Sequence, residues 1–126
     1  LAELGFADRV TLVEASGLGE LSGPFDLVVS NPPYVQEGDL AGLAPELRHE
    51  PRVALDGGPD GLHAVRRLCA EAPALLERPG HLALEIGLGQ ADAVEELLRA
   101  SGAAVVERYP DLAGIPRVVV GRFLEI

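Results

Sequence analysis

Apolar positions follow two different periods along this chain, and the change of period marks its elements. Leu27, Val28 and Val29 are consecutive apolar residues inside Phe25-Asp26-Leu27-Val28-Val29-Ser30, preceded by the breaker pair Gly23-Pro24. That pattern predicts a strand over residues 25–30, and three apolar residues in a row suit one covered on both faces, as in parallel sheets. A shorter β-prone run, Val10-Thr11-Leu12-Val13, follows the turn-like Ala7-Asp8-Arg9 and predicts an earlier strand. The spacing then changes to three and four: Leu62, Val65, Leu68, Cys69, Ala72 and Leu76 share one helical face. A helix is expected from about residue 61 to residue 77, capped by Asp60, kinked or split at Pro73 and ended by Pro79-Gly80.

Residues 81–86 read as another strand, and residues 91–100 as a helix with Val94, Leu97 and Leu98 inward and Gly102 at its C-cap. Two last strands, residues 104–108 and 117–123, flank the turn-rich Pro110-Asp111-Leu112-Ala113-Gly114 and are expected to form an antiparallel pair at a sheet edge. Residues 35–59 show no clear period and hold several glycines and prolines. They read as a long loop with one helical turn near residues 43–47, and loops of that length are usually functional or disordered. Strands alternating with helices imply a layered α/β sandwich.

Composition narrows the field. A chain of 126 residues supports one domain at most, and 48% hydrophobic content argues for a folded core. No apolar run approaches about 18 residues and no signal peptide is evident, so a membrane span is not expected. The single cysteine, Cys69, has no internal partner and is expected to fill core space. A cytoplasmic location fits that usage. Acidic residues number 20 against 10 arginines, for a net charge of −10. Duplex binding draws most of its affinity from phosphate neutralisation, so nucleic acid is disfavoured as a partner.

The main chemical signal is Asn31-Pro32-Pro33-Tyr34, directly after the strand of residues 25–30. Ligands of open α/β sheets bind beyond the carboxyl ends of strands. A residue before proline is held extended, and Pro32 and Pro33 carry carbonyl acceptors but no N–H. A planar nitrogen with two hydrogens is held by two acceptors, here the Asn31 side-chain oxygen and the Pro32 carbonyl, with Tyr34 as a flat stacking face. Such acceptors favour the positive charge that develops as the nitrogen attacks a methylsulfonium, with no obligatory general base. A bare Asn-Pro pair reads as an ordinary turn; all four residues after a buried strand point to methyl transfer.

The segment Phe25 to Tyr34 resembles the active-site strand and loop of the HemK/PrmC family. The likeness continues through Glu50-Pro51 with Ala54-Leu55, Gly57-Gly58-Pro59-Asp60-Gly61-Leu62, Glu85-Ile86-Gly87 with Gln90, and Asp111-Leu112-Ala113-Gly114 with Arg117-Val118-Val119 and Gly121-Arg122. The four-residue motif alone is shared with DNA-adenine and other amino-methyltransferases; the later blocks point to this family. The resemblance implies a Rossmann-like class I S-adenosylmethionine-dependent methyltransferase sandwich, with its first strands missing and an antiparallel strand pair at its C-terminal end. It implies methylation of a glutamine side-chain amide in peptide chain release factors. Asn31 and Pro32 would be catalytic, Pro33 and Tyr34 would complete the substrate site, and Asn31 would also border the cofactor.

On this resemblance residues 1–126 form the C-terminal portion of a catalytic domain, and the family's glycine-rich cofactor loop lies upstream. The strand at residues 10–13 then lacks its neighbours, so truncation, or a second subunit covering exposed edges, is expected. Ser16, in Ala15-Ser16-Gly17, stands where the family commonly has an acidic residue near the adenine, and is expected to be a weak cofactor contact. Glu85-Ile86-Gly87-Leu88-Gly89, with Glu107 at the next strand, imitates a cofactor loop and its ribose-binding acid, which would make a circularly permuted enzyme. The missing third glycine, Gln90, and the unpermuted order of the later blocks weigh against that.

Two other readings compete: a DNA adenine or cytosine amino-methyltransferase holding a flipped base, and an inactive fragment or binding module with little affinity for S-adenosylmethionine. His49, His63 and His81 show no metal-site spacing. Glu46 and Glu50 read as solvated loop residues, and Arg66 and Arg67 as the solvent face of a helix.

Overall fold

The structure, a computed structural model, describes residues 8–13, 18, 21–32 and 61–125. Among these described residues four strands and two helices follow in the order β1 (Phe25–Ser30), α1 (His63–Glu71), β2 (Leu76–Glu85), α2 (Ala91–Ala100), β3 (Val105–Pro110) and β4 (Pro116–Phe123), with a 3₁₀ turn at Ala72–Leu75 between α1 and β2. The sheet order is β1-β2-β4-β3. β1 runs parallel to β2, while β4 is antiparallel to both β2 and β3. The antiparallel pair therefore lies at a sheet edge, as its sequence implied.

The register explains how the core is built. Val28 lies opposite Leu82, Leu82 opposite Gly121, and Gly121 opposite Val106, so these four positions share one face of the sheet. Leu84, Val119 and Phe123 have the same parity, and they join Val65, Cys69, Val94 and Leu98 from the helices in one buried cluster. Both helices thus cover the same face. The other face, carrying Leu27, Val29, Ala83 and Val120, is exposed or half-buried among the described residues.

Three sequence expectations change here. β1 has the expected bounds but is not covered on both faces: Leu27 is 54% exposed and Val29 68% exposed, because the described helices lie on Val28's side. Residues 10–13 form no strand; they are exposed and pair with no described edge, and β-propensity alone does not make a strand without a ladder partner.

The third change concerns the helix expected over residues 61–77, which ends at Glu71. Pro73 falls in the first turn of the 3₁₀ segment, where its missing N–H is tolerated, and the chain then straightens into β2 from Leu76 through Pro79-Gly80. Leu76 is buried, but from a strand rather than a helix. Leu62 is the N-cap residue of α1, and Asp60 lies outside the described residues.

α2 has the bounds its periodicity predicts, with Val94 and Leu98 fully buried. It ends in a Schellman motif: Ala103 N–H donates to the Leu98 carbonyl at 3.0 Å and Gly102 N–H to the Arg99 carbonyl at 3.1 Å. Gly102 has φ +112, a conformation that glycine adopts without penalty. Arg67 and Arg66 are exposed on α1, with Arg67 paired to Glu71 at 3.2 Å.

Candidate functional site

Asn31 leaves the carboxyl end of β1. Ser30 pairs with Leu84, so Asn31 emerges beside the last residue of β2, Glu85. Asn31 is exposed and Pro32 is buried. The arrangement suits a proline that anchors the turn while the asparagine side chain faces outward.

Two further segments meet at this end of the sheet. Glu85 pairs with Val118, and one step on, Ile86 N–H donates to the Arg117 carbonyl at 2.9 Å. The turn between β3 and β4 therefore stands at the same end as Asn31. Asp111 organises that turn: its Oδ1 accepts from the N–H groups of Ala113 at 2.8 Å and Ile115 at 3.0 Å, and its Oδ2 from Arg117 Nε at 3.1 Å. The Ile115 N–H, then Arg117, then the Ala113 N–H hold the Asp111 carboxyl below the usual carboxylate range.

Gln90 ties in a third segment. Its Oε1 accepts from Gly87 N–H at 2.8 Å and its Nε2 donates to the Gly61 carbonyl at 3.2 Å. Three stretches that are far apart in sequence, around Asn31, around Gly87 and around Asp111, thus gather at one end of the sheet, with Gly61 attached through Gln90.

The glycine turn after β2 does not have the geometry of a cofactor loop. Its first amide is already bonded to Gln90, and the neighbour of β2 on that side is the antiparallel β4. Glu107 lies inside β3, one strand further away, and accepts a hydrogen bond from Tyr109 at 2.8 Å. A permuted nucleotide fold would need a parallel strand directly beside β2 to bring that acid to the glycines.

Pro33, Tyr34, Ser16, Glu46, Glu50 and His49 lie outside the described residues. His63 is exposed and His81 half-buried. Among the described residues no three His, Cys, Asp or Glu side chains gather as metal ligands do, and no helix is long and apolar enough to cross a membrane. The bridging role of Gln90 was not legible in sequence, since its second partner is 29 positions away.

No family model matches the chain, but individual proteins do. A release factor glutamine methyltransferase of Bradyrhizobium diazoefficiens is 51% identical over 122 residues, covering 94% of this chain and 41% of that protein. Its counterpart in Caulobacter vibrioides is 53% identical over 124 residues, covering 95% of this chain and 42% of that protein. Nearly the whole chain is thus similar to release factor glutamine methyltransferases. It spans about two fifths of the length of these relatives. The crystal structure of the protein-(glutamine-N5) methyltransferase (release factor-specific) from Alicyclobacillus acidocaldarius matches with a TM-score of 0.52 and 32% identity, over 81% of this chain and 50% of that one. The α/β sandwich described above is accordingly the methyltransferase fold, and its relatives are enzymes.

Proposed function

We propose that the intact protein to which these residues contribute methylates the side-chain amide nitrogen of a glutamine in a peptide chain release factor, using S-adenosylmethionine. Residues 1–126 then form the C-terminal portion of its catalytic domain. The observation that carries this reading is the position of Asn31: exposed, at the carboxyl end of a parallel strand, in a chain half identical to release factor glutamine methyltransferases.

The described residues fit the acceptor side of that reaction. The glycine turn that the described residues place beside the site does not fit the main cofactor loop, because Gln90 closes it. We therefore assign that loop to the remainder of the parent, with Ser16 a weak contact. S-adenosylmethionine, when bound, supplies a methyl group on a sulfonium centre. Asn31 Oδ1 accepts one amide hydrogen of the glutamine and the Pro32 carbonyl accepts the other, which fixes the nitrogen and stabilises positive charge growing on it. By the sequence resemblance Pro33 and Tyr34 complete the substrate site. The surplus proton leaves to solvent. A net charge of −10 favours a protein substrate over DNA.

The test is methyl incorporation by the full-length parent from labelled donor into a release factor and, separately, into DNA. Label in the release factor, reduced about 100-fold or more by Asn31→Ala, is the expected outcome. Label in DNA alone, or an Asn31→Ala parent with normal turnover, overturns the proposal.

A further inference from the structure

Gln90 occupies the N-cap position of α2 yet makes no side-chain hydrogen bond to its own helix. Its carboxamide instead joins two backbone segments, accepting from Gly87 and donating to Gly61. Gly87 lies two residues past the end of β2, the strand whose Leu84 is paired with Ser30 just before Asn31. Gly61 is buried, with φ +77, and adjoins Leu62, the buried N-cap residue of α1. The chain that leaves the sheet at Asn31-Pro32 thus returns at a point fixed by Gln90. Pro32, Gly61, Leu62, Ile86 and Gly87 are all buried, and in a close-packed interior a displaced segment shifts whatever it packs against.

We propose that Gln90 is a positioning residue for methyl transfer at Asn31, clamping Gly61 to the Gly87 turn so that the Asn31 and Pro32 acceptors keep their aim; this rests on the function proposed above. One planar amide supplies both the acceptor and the donor that the clamp uses. Glutamate keeps the acceptor, loses the donor and sets a carboxylate against the Gly61 carbonyl. Methionine fills a similar volume and forms neither bond.

Gln90→Glu and Gln90→Met are compared in the full-length parent, with release factor varied and rates expressed per folded molecule from a parallel thermal melt. Misaim of about 1 Å costs up to about 100-fold in turnover, so kcat is expected to fall about 10- to 100-fold. KM for the release factor stays within about threefold, since a macromolecular partner binds through a far larger surface than one amide. The loss is greater for Gln90→Met than for Gln90→Glu. Unchanged kcat in Gln90→Met, or a loss that disappears once the unfolded fraction is subtracted, overturns this inference alone. A parent that methylates no release factor overturns the functional proposal and this one together.

Discussion

Arg117 donates from Nε to the Asp111 carboxylate at 3.1 Å across the turn that joins β3 to β4, and the same carboxylate receives two backbone N–H groups of that turn. The Asp111 carboxylate thus adds three hydrogen bonds to the two backbone ones of the turn, Asp111 N–H to the Ile115 carbonyl and Gly114 N–H to the Asp111 carbonyl. Because the folded-state pKa of Asp111 is lowered, its contribution is fully present above the ordinary carboxylate pKa of about 4 and is lost as pH falls through the lower folded value. Acid titration followed by amide NMR is expected to show the Ala113 and Ile115 N–H resonances moving together below about pH 4. In Asp111→Ala those resonances lose that titration and the melting temperature falls. An Asp111→Ala protein with wild-type melting and an unchanged turn spectrum would contradict this account.

Gly102 ends α2 at φ +112, where the two Schellman hydrogen bonds close the helix. A Cβ there meets only the Phe123 ring, at 3.9 Å, so space is not the obstacle. The backbone conformation is. Gly102→Ala is expected to destabilise the protein by about 1 kcal/mol or more, measured by denaturant midpoint at constant m-value. A gain in stability would mean that the helix ends differently.

These elements differ in how far the sequence discloses them. β1 and α2 were legible to the residue, because each has a strong local period and clean punctuation. The helix before β2 was overextended because Leu76 continues a three-four spacing while belonging to a strand; a periodic hit at the end of a run cannot distinguish the two. The exposed face of β1 escapes the sequence for a different reason. Consecutive apolar residues report that a strand can be covered twice, whereas Leu27 and Val29 depend on which layers surround the sheet. The place of Asn31-Pro32 at a strand's end was readable because the strand's apolar run stops directly before it. The Gln90 bridge depends on two backbone carbonyl and amide groups, which carry no residue signature.

Cys69 is the buried cysteine of α1, and burial pushes its thiol up to about 11 despite the opposing hydrogen bond with Ser101. It lines an open groove with Pro73, Leu97, Ala100 and Ser101. Leu97 and Ala100 lie in the second half of α2, whose first residue follows Gln90, so this groove sits away from Asn31. At pH 8 roughly one Cys69 in a thousand is thiolate, which makes it a poor nucleophile in the folded state. Iodoacetamide labelling read by peptide mass mapping is expected to leave Cys69 unmodified in native buffer and to modify it fully in denaturant. Rapid native labelling would show that the α1–α2 contact opens easily.

Gly121 lies in β4, buried, opposite Leu82 on one side and Val106 on the other. A Cβ added there would meet Leu98 Cδ2 at 3.0 Å and Ala103 Cβ at 3.2 Å. The first contact is the mobile end of a leucine and yields at small cost; the second is a methyl fixed by the Schellman turn and yields less. Gly121→Ala is therefore tolerated with a loss of about 1 kcal/mol, at the low end of overpacking costs. Gly121→Val adds two branches into the same space and is expected to cost about 2–3 kcal/mol, near the upper end of the usual range. Because both probes displace α2, the Gly121→Val protein should also show faster amide exchange at Ser101 and Ala103 than at Val65 on α1. Equal stability of the two variants would mean that α2 does not rest on β4 at this position.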